Sequence, residues 1–189
     1  WDKLRAYLTA DEEDKTSSND FGKNIIPAML NDKQVMVAYN FEGYWKDVGT
    51  IESLWEANMD LLSQPMPIDL HDKKWRIYAK NPGLPPHCVA DGAVVKDSLI
   101  TEGCEILGKV EHSVVFAGVT VEEGASVIDA VVMPGAVIKR GAVVRRCIIA
   151  ENAIVGPGAL VGEETGDIAV IGNAVQLPAG ATVKAGVQV

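Results

Sequence analysis

A period of 17 in the second half most constrains what this 189-residue chain can fold into. Apolar residues fall at Val115, Val121, Val127, Val132, Ile138, Val144, Ile149, Val155 and Val161, in steps of six, six and five that then recur in phase. Gly124-Ala125, Gly141-Ala142 and Gly158-Ala159 keep the same beat; Gly118 and Gly135 also fit it, and Asn152-Ala153 takes the next place. An α-helix turns every ~3.6 residues, so a step of six rotates a side chain off its starting face. Three short strands joined by tight corners form a coil that does accommodate it, with one aliphatic side chain pointing inward on each side. A corner glycine or asparagine takes left-handed backbone angles that cost other residues ~1–2 kcal/mol. Each inward Val or Ile contributes ~1.5–3 kcal/mol of burial, but a lone coil cannot exclude water, so several must stack.

Two irregularities interrupt the beat. Val89, Val95, Ile100 and Ile106 step by six, five and six, and the phase then slips around Gly108-Lys109, which predicts an irregular coil or a short excursion. After Val161 the polar residues 162–167 are expected to leave as a loop before Ile171, Leu177 and Val183 resume at steps of six. A mainly β fold, a parallel β-helix over residues 88–189, is the expectation.

The first half differs. Residues 1–8 read as a helix, Asp11-Glu12-Glu13-Asp14 as a solvated acidic run, and Asp20 as an N-cap for a helix through Ile25, Ile26 and Met29 that Pro27 kinks or shortens. Val35, Val37 and Tyr39 alternate with Met36 and Ala38, which predicts a strand buried on both faces. Thr50 can cap a helix whose apolar stripe is Ile51, Leu54, Trp55, Asn58, Met59 and Leu62, ended by Ser63-Gln64-Pro65. Residues 63–87 hold Pro65, Pro67, Pro82, Pro85 and Pro86, a linker composition, with Trp75, Ile77 and Tyr78 expected to pin part of it to a surface. The domain reading is 1–62, the linker 63–87 and 88–189. Residues 1–62 hold too few strands for a complete doubly wound domain and no Gly-rich phosphate loop, so they are expected to be the end of a larger α/β domain.

Charge and cysteines narrow the function classes. The net charge of −9 is spread over both halves, 14 acids against 10 basic residues up to residue 87 and 12 against 7 beyond it, so a nucleic-acid partner is not expected. No apolar stretch approaches the ~20 residues of a membrane span, and the start lacks the pattern of a signal peptide; a soluble, cytoplasmic protein without a membrane partner is expected. Cys88, Cys104 and Cys147 are odd in number and far apart, which predicts buried reduced thiols rather than a zinc or disulfide framework. His71, His87 and His112 form no cluster.

The 17-residue pattern resembles the hexapeptide-repeat family, which implies a left-handed winding. Asn19-Asp20-Phe21-Gly22-Lys23-Asn24-Ile25-Ile26-Pro27 and Gly43-Tyr44-Trp45-Lys46-Asp47-Val48-Gly49-Thr50 resemble motifs of the bacterial glucose-1-phosphate adenylyltransferase (ADP-glucose pyrophosphorylase) family. The likeness continues through Glu56-Ala57-Asn58-Met59-Asp60-Leu61, Leu84-Pro85-Pro86 and Arg145-Arg146-Cys147. It implies a carboxyl-terminal piece of a nucleotidyltransferase with a Rossmann-like catalytic domain, inactive alone, whose β-helix serves regulation and oligomerisation. The implied reaction converts ATP and glucose 1-phosphate to ADP-glucose and pyrophosphate for glycogen synthesis, with Mg²⁺ as cofactor. Within it Asp47 holds the metal as a catalytic residue, Asp20 and Phe21 face the glucosyl group, and Trp45 packs along the sugar. Arg145 and Arg146 are candidates for a sugar-phosphate or nucleotide effector, in a homo- or hetero-tetramer.

From the residues alone, Asp20 serves equally as an N-cap, Trp45 as a core side chain and Asp47 as a helix-start carboxylate. Arg145 and Arg146 serve equally as a solvated corner or as partners of Glu151. Two other functions compete: a non-catalytic regulatory subunit of the same enzyme, and a hexapeptide-repeat acyltransferase, whose repeats hold one histidine, His112.

Overall fold

The computed structural model describes residues 1–79 and 82–189, which form two compact units, Trp1–Gly43 and Tyr44–Val189. In the second unit the 17-residue period is realised as a three-sided parallel β-helix. Among the described residues, two sides carry six strands each and the third carries five. Val89, Ile106, Val121, Ile138, Val155 and Leu177 stack along the first side. Val95, Val110, Val127, Val144, Val161 and Val183 stack along the second. Ile100, Val115, Val132, Ile149 and Ile171 stack along the third. All nine repeat positions from Val115 to Val161 are buried, whereas Val89 and Val95, in the first turn, have no coil before them and stay exposed.

Both irregularities have a structural meaning. Val89 pairs with Ile106, 17 residues on, whereas Val95 pairs with Val110 and Ile100 with Val115, each 15 on. The slip at Gly108-Lys109 is therefore a corner shortened by two residues, with no excursion from the helix. A Cβ on Gly108 would overlap Ala125 O and lie 2.6 Å from Glu122 O, so the short corner is tight enough to require glycine. On the third side Val132 pairs with Ile149, 17 on, but Ile149 pairs with Ile171, 22 on. The five added residues form the expected polar loop, and it occupies the corner between the second and third sides.

That corner differs from the other two in its residues. Asp97, His112, Asp129 and Arg146 hold it in successive turns, with φ of 46°, 44°, 48° and 43°. Elsewhere glycine mostly takes left-handed angles, and Asn152, at φ 56°, fills the place predicted for it.

Outward residues of the third side are apolar as well. Leu99, Val114, Val131, Ile148 and Val170 stand beside the inward column and pack with Ile51, Leu54, Trp55, Met59 and Leu62 of helix α3 (Ile51–Asp60) and its last turn. This is why the second compact unit starts at Tyr44: residues 44–62, grouped by sequence with 1–43, pack against the β-helix. Helices α1 (Asp2–Glu13) and α2 (Ile26–Asn31) belong to the first unit.

Several expectations are corrected. Residues 35–39 form no strand, and Val35, Val37 and Tyr39 are exposed, because no neighbouring strand pairs with them among the described residues. Trp75, Ile77 and Tyr78 are exposed, so among the described residues they pin the linker to no surface. Cys104 and Cys147 are buried free thiols as expected, with burial raising both pKa values, but Cys88 is exposed in the first strand.

Two predictions follow from the corners. Gly108→Ala meets backbone oxygens, whereas Gly141→Ala has open space and only a positive φ to oppose it. Urea unfolding should show the first losing ~1–3 kcal/mol and the second ~1 kcal/mol; equal losses would contradict the tight corner. Glu122 accepts from Lys139 Nζ and from the Arg140 N–H at 2.8 Å each. These contacts, Lys139 first, hold its carboxyl below the ordinary 4.5 against the opposing effect of burial. Because the folded pKa is depressed, its stabilisation is present above the unfolded pKa and lost as pH falls through the folded one. The stability gap between wild type and Glu122→Gln should therefore close as acid is added below that ordinary value, and a gap constant with pH would exclude the pairing.

Candidate functional site

Helix α3 organises the candidate site in the second unit. Thr50 starts it with a capping box: Ser53 N–H donates to Thr50 Oγ1 at 3.2 Å and Thr50 N–H to Ser53 Oγ at 3.0 Å. Its apolar stripe faces the third side, and Trp55 Nε1 donates to Asp129 O at 2.8 Å across the contact.

The Gly-Tyr-Trp-Lys-Asp-Val-Gly-Thr motif is strapped to this helix. Lys46 Nζ lies 2.9 Å from Glu56 and 3.1 Å from Asp60, and Tyr44 Oη donates to Asp60 at 2.9 Å. Glu56 and Asp60 are one helical turn apart, so they offer carboxylates to the strap from one face. The Glu56 bond, with a further one to Asp60, raises the Lys46 pKa. Burial and the Asp60 bond raise that of Tyr44. Asp60 stays below its ordinary value because the bonds from Tyr44 and Lys46 outweigh burial. These anchors hold Asp47, whose Oδ1 accepts the Gly49 N–H at 3.1 Å just before the helix cap. Its side chain is exposed, and Oδ2 makes no hydrogen bond among the described residues. Trp45 is 75% exposed, which rules out the core reading in this unit.

Asp20 and Phe21 lie in the first unit. Asp20 Oδ1 accepts the Lys23 N–H at 2.7 Å and caps a π-helical turn, Phe21–Ile25, that leads into α2. The wider turn closes from Ile26 N–H to Phe21 O, immediately before Pro27, which cannot donate. The capping role is thus real, Oδ2 makes no hydrogen bond among the described residues, and the Phe21 ring is half exposed.

Arg145 and Arg146 diverge. Arg145 pairs with Glu164 of the inserted loop and, with Lys109, Glu111, His112, Ile128 and Asp129, lines a surface cleft. Arg146 donates from Nη2 to Glu52 at 3.1 Å and from Nε to Gly166 O at 2.9 Å, and its guanidinium lies 4.7 Å from the Trp55 ring centroid. Their partners are Glu164 and Glu52, and Glu151 is not among them. His112 Nδ1 pairs with Asp129 Oδ1 at 2.7 Å. Sequence reasoning missed Glu52, Trp55, Lys46 and Asp60 as site supports; the acids spaced by four after a lysine-bearing motif were the available signal.

No group of three or more His, Cys, Asp or Glu side chains gathers as a metal cage among the described residues. Asp47 offers one open carboxylate oxygen. That fits Mg²⁺, which takes one or two carboxylates and completes its shell with water and substrate phosphates.

Comparison with known proteins gives these features a context. Residues 2–64 match the family described as Nucleotidyl transferase, and residues 87–170 match GlmU-like, C-terminal hexapeptide. Proteins named glucose-1-phosphate adenylyltransferase from Bacillus cereus, Bacillus mycoides and Bacillus anthracis are each 57% identical over 134 residues. The matched part is 71% of this chain and 36% of each relative, so the chain spans about a third of their length. The chain thus joins a segment similar to nucleotidyl transferases to one similar to hexapeptide-repeat proteins, and over 71% of its length it is similar to bacterial proteins named glucose-1-phosphate adenylyltransferase.

Proposed function

We propose that this chain serves an enzyme that forms ADP-glucose and pyrophosphate from ATP and glucose 1-phosphate. The observation that carries the reading is the 43–50 motif, strapped to α3 with Asp47 exposed beside the helix cap, in a chain 57% identical over its matched part to adenylyltransferases. A phosphate oxygen of glucose 1-phosphate attacks the α-phosphorus of ATP, and the bond to the β-phosphoryl bridging oxygen breaks as pyrophosphate leaves. The nucleophile is already anionic, so the chemistry asks for alignment and charge neutralisation more than proton transfer.

Within this reading Asp47 would hold Mg²⁺, and bound Mg²⁺ would screen the repulsion between phosphates. Asp20 accepts from sugar hydroxyls through the oxygen left by the cap. The Phe21 ring offers apolar surface to the glucosyl group; separately, the exposed Trp45 ring offers a face along which a sugar ring can pack. Arg145 contacts an effector phosphate by exchanging its ion pair with Glu164, which is 80% exposed and easily released. Glycogen synthesis, a cytoplasmic setting, allosteric control and a tetrameric assembly complete the proposal. No helix among the described residues is long and apolar enough to cross a membrane.

Three outcomes test it. Asp47→Asn in the full-length protein should cut ADP-glucose formation by about 10²-fold or more at saturating substrates, and undiminished turnover would remove the metal role. The 189-residue chain alone should release no pyrophosphate from ATP and glucose 1-phosphate, since it offers no Gly-rich cradle for the triphosphate. Arg145→Glu should flatten the titration with sugar-phosphate effectors; an unchanged curve would discard the effector site.

A further inference from the structure

We propose that Arg146 is a positioning residue that holds Asp47 in place through the first turn of α3. This rests on the metal-binding reading of Asp47. Arg146 sits in the left-handed region at φ 43°, a conformation that asparagine or glycine takes at less cost, so its backbone place alone does not call for arginine. Its side chain is used on three sides. One edge donates to Glu52 in the first turn of α3, Nε donates to Gly166 O, and the face lies over Trp55. Lysine could not make this set, since a guanidinium joins a planar fork of donors to a stacking face.

The contacts converge on the path to Asp47. Trp55 is bound to the preceding member of the same corner column through Asp129 O, so two successive corners grip α3. Glu52 lies within the turn closed by the Thr50–Ser53 capping box, and Asp47 holds the Gly49 N–H next to that cap. From the other side, Lys46 and Tyr44 tie the motif to Glu56 and Asp60 further along the same helix. A tilt of the first turn therefore carries Asp47 with it.

The inserted loop completes the device. It replaces the regular corner in the turn after Arg146 and contributes Gly166 O. Gly162, at φ 76°, begins it where an added Cβ would overlap Arg145 O, so the loop leaves the β-helix in close contact with the arginine pair.

Arg146→Asn tests this cleanly, because asparagine suits the left-handed corner and removes only the guanidinium. In the 189-residue chain, hydrogen exchange at residues 47–55 should accelerate about 10-fold or more while the β-helix strands keep their protection. In the full-length enzyme, the Mg²⁺ concentration for half-maximal rate should rise about 3-fold or more, with kcat lowered and the ATP KM changed less than about 2-fold. Arg146→Lys should restore less than half of the loss, and Glu52→Gln combined with Arg146→Asn should be no worse than Arg146→Asn alone. Unaltered exchange at residues 47–55 would overturn the proposal, as would faster exchange with an unmoved Mg²⁺ dependence. A wild-type enzyme that makes no ADP-glucose would instead refute the functional reading and leave hydrogen exchange to decide whether Arg146 holds this segment.

Discussion

Everything in the second unit depends on the aliphatic columns inside the β-helix. Parallel pairing sets one aliphatic side chain on another from one turn to the next, Ile138 on Val121, Val144 on Val127 and Ile149 on Val132, and the columns meet on the axis with almost no exposure from Ile106 to Ile171. Neither part suffices alone. A single coil leaves its backbone edges unpaired and its aliphatic groups wet, whereas stacked coils satisfy both at once. The corners can then carry residues chosen for other purposes, since the columns hold the backbone in place.

The third side is where that freedom is used. It is apolar on its outward face too, so it binds a helix as well as its own neighbours. The helix that docks there bears the 43–50 motif along one flank, receives Arg146 at Glu52 in its first turn and donates to the Asp129 carbonyl from Trp55. A β-helix is stiff along its axis because every turn is bonded to the next, and it can serve as a fixed frame for a neighbouring element. Two departures from the regular coil have separate consequences. The shortened corner at Gly108 costs only the freedom to carry a side chain, while the lengthened one after Val161 brings Glu164 and Gly166 to the arginine pair.

Much of this was legible in the residues. The inward columns could be read from step lengths, and both irregular corners were visible as losses of phase, because a period is broken only where the chain is longer or shorter. The Thr50 cap and the α3 stripe were equally plain. The outward apolar column was missed, although Leu99-Ile100, Val114-Val115, Val131-Val132, Ile148-Ile149 and Val170-Ile171 are doublets that recur with the coil. The strand expected at residues 35–39 failed for a different reason: alternation records what a segment could pair with, and pairing needs a partner.

Composition and spacing by themselves determined that the second half winds as stacked three-sided coils and that α3 starts at Thr50. These are local or periodic properties, and each is encoded within a few residues or one repeat. Only the tertiary structure decided that α3 packs on the third side, that Lys46 reaches Glu56 and Asp60, and that neighbouring arginines part to Glu164 and Glu52. Those outcomes depend on which coil level meets which helical turn, across 94 positions for Arg146 and Glu52. No local pattern encodes such a distance; stacking does, by adding one coil's rise at a time.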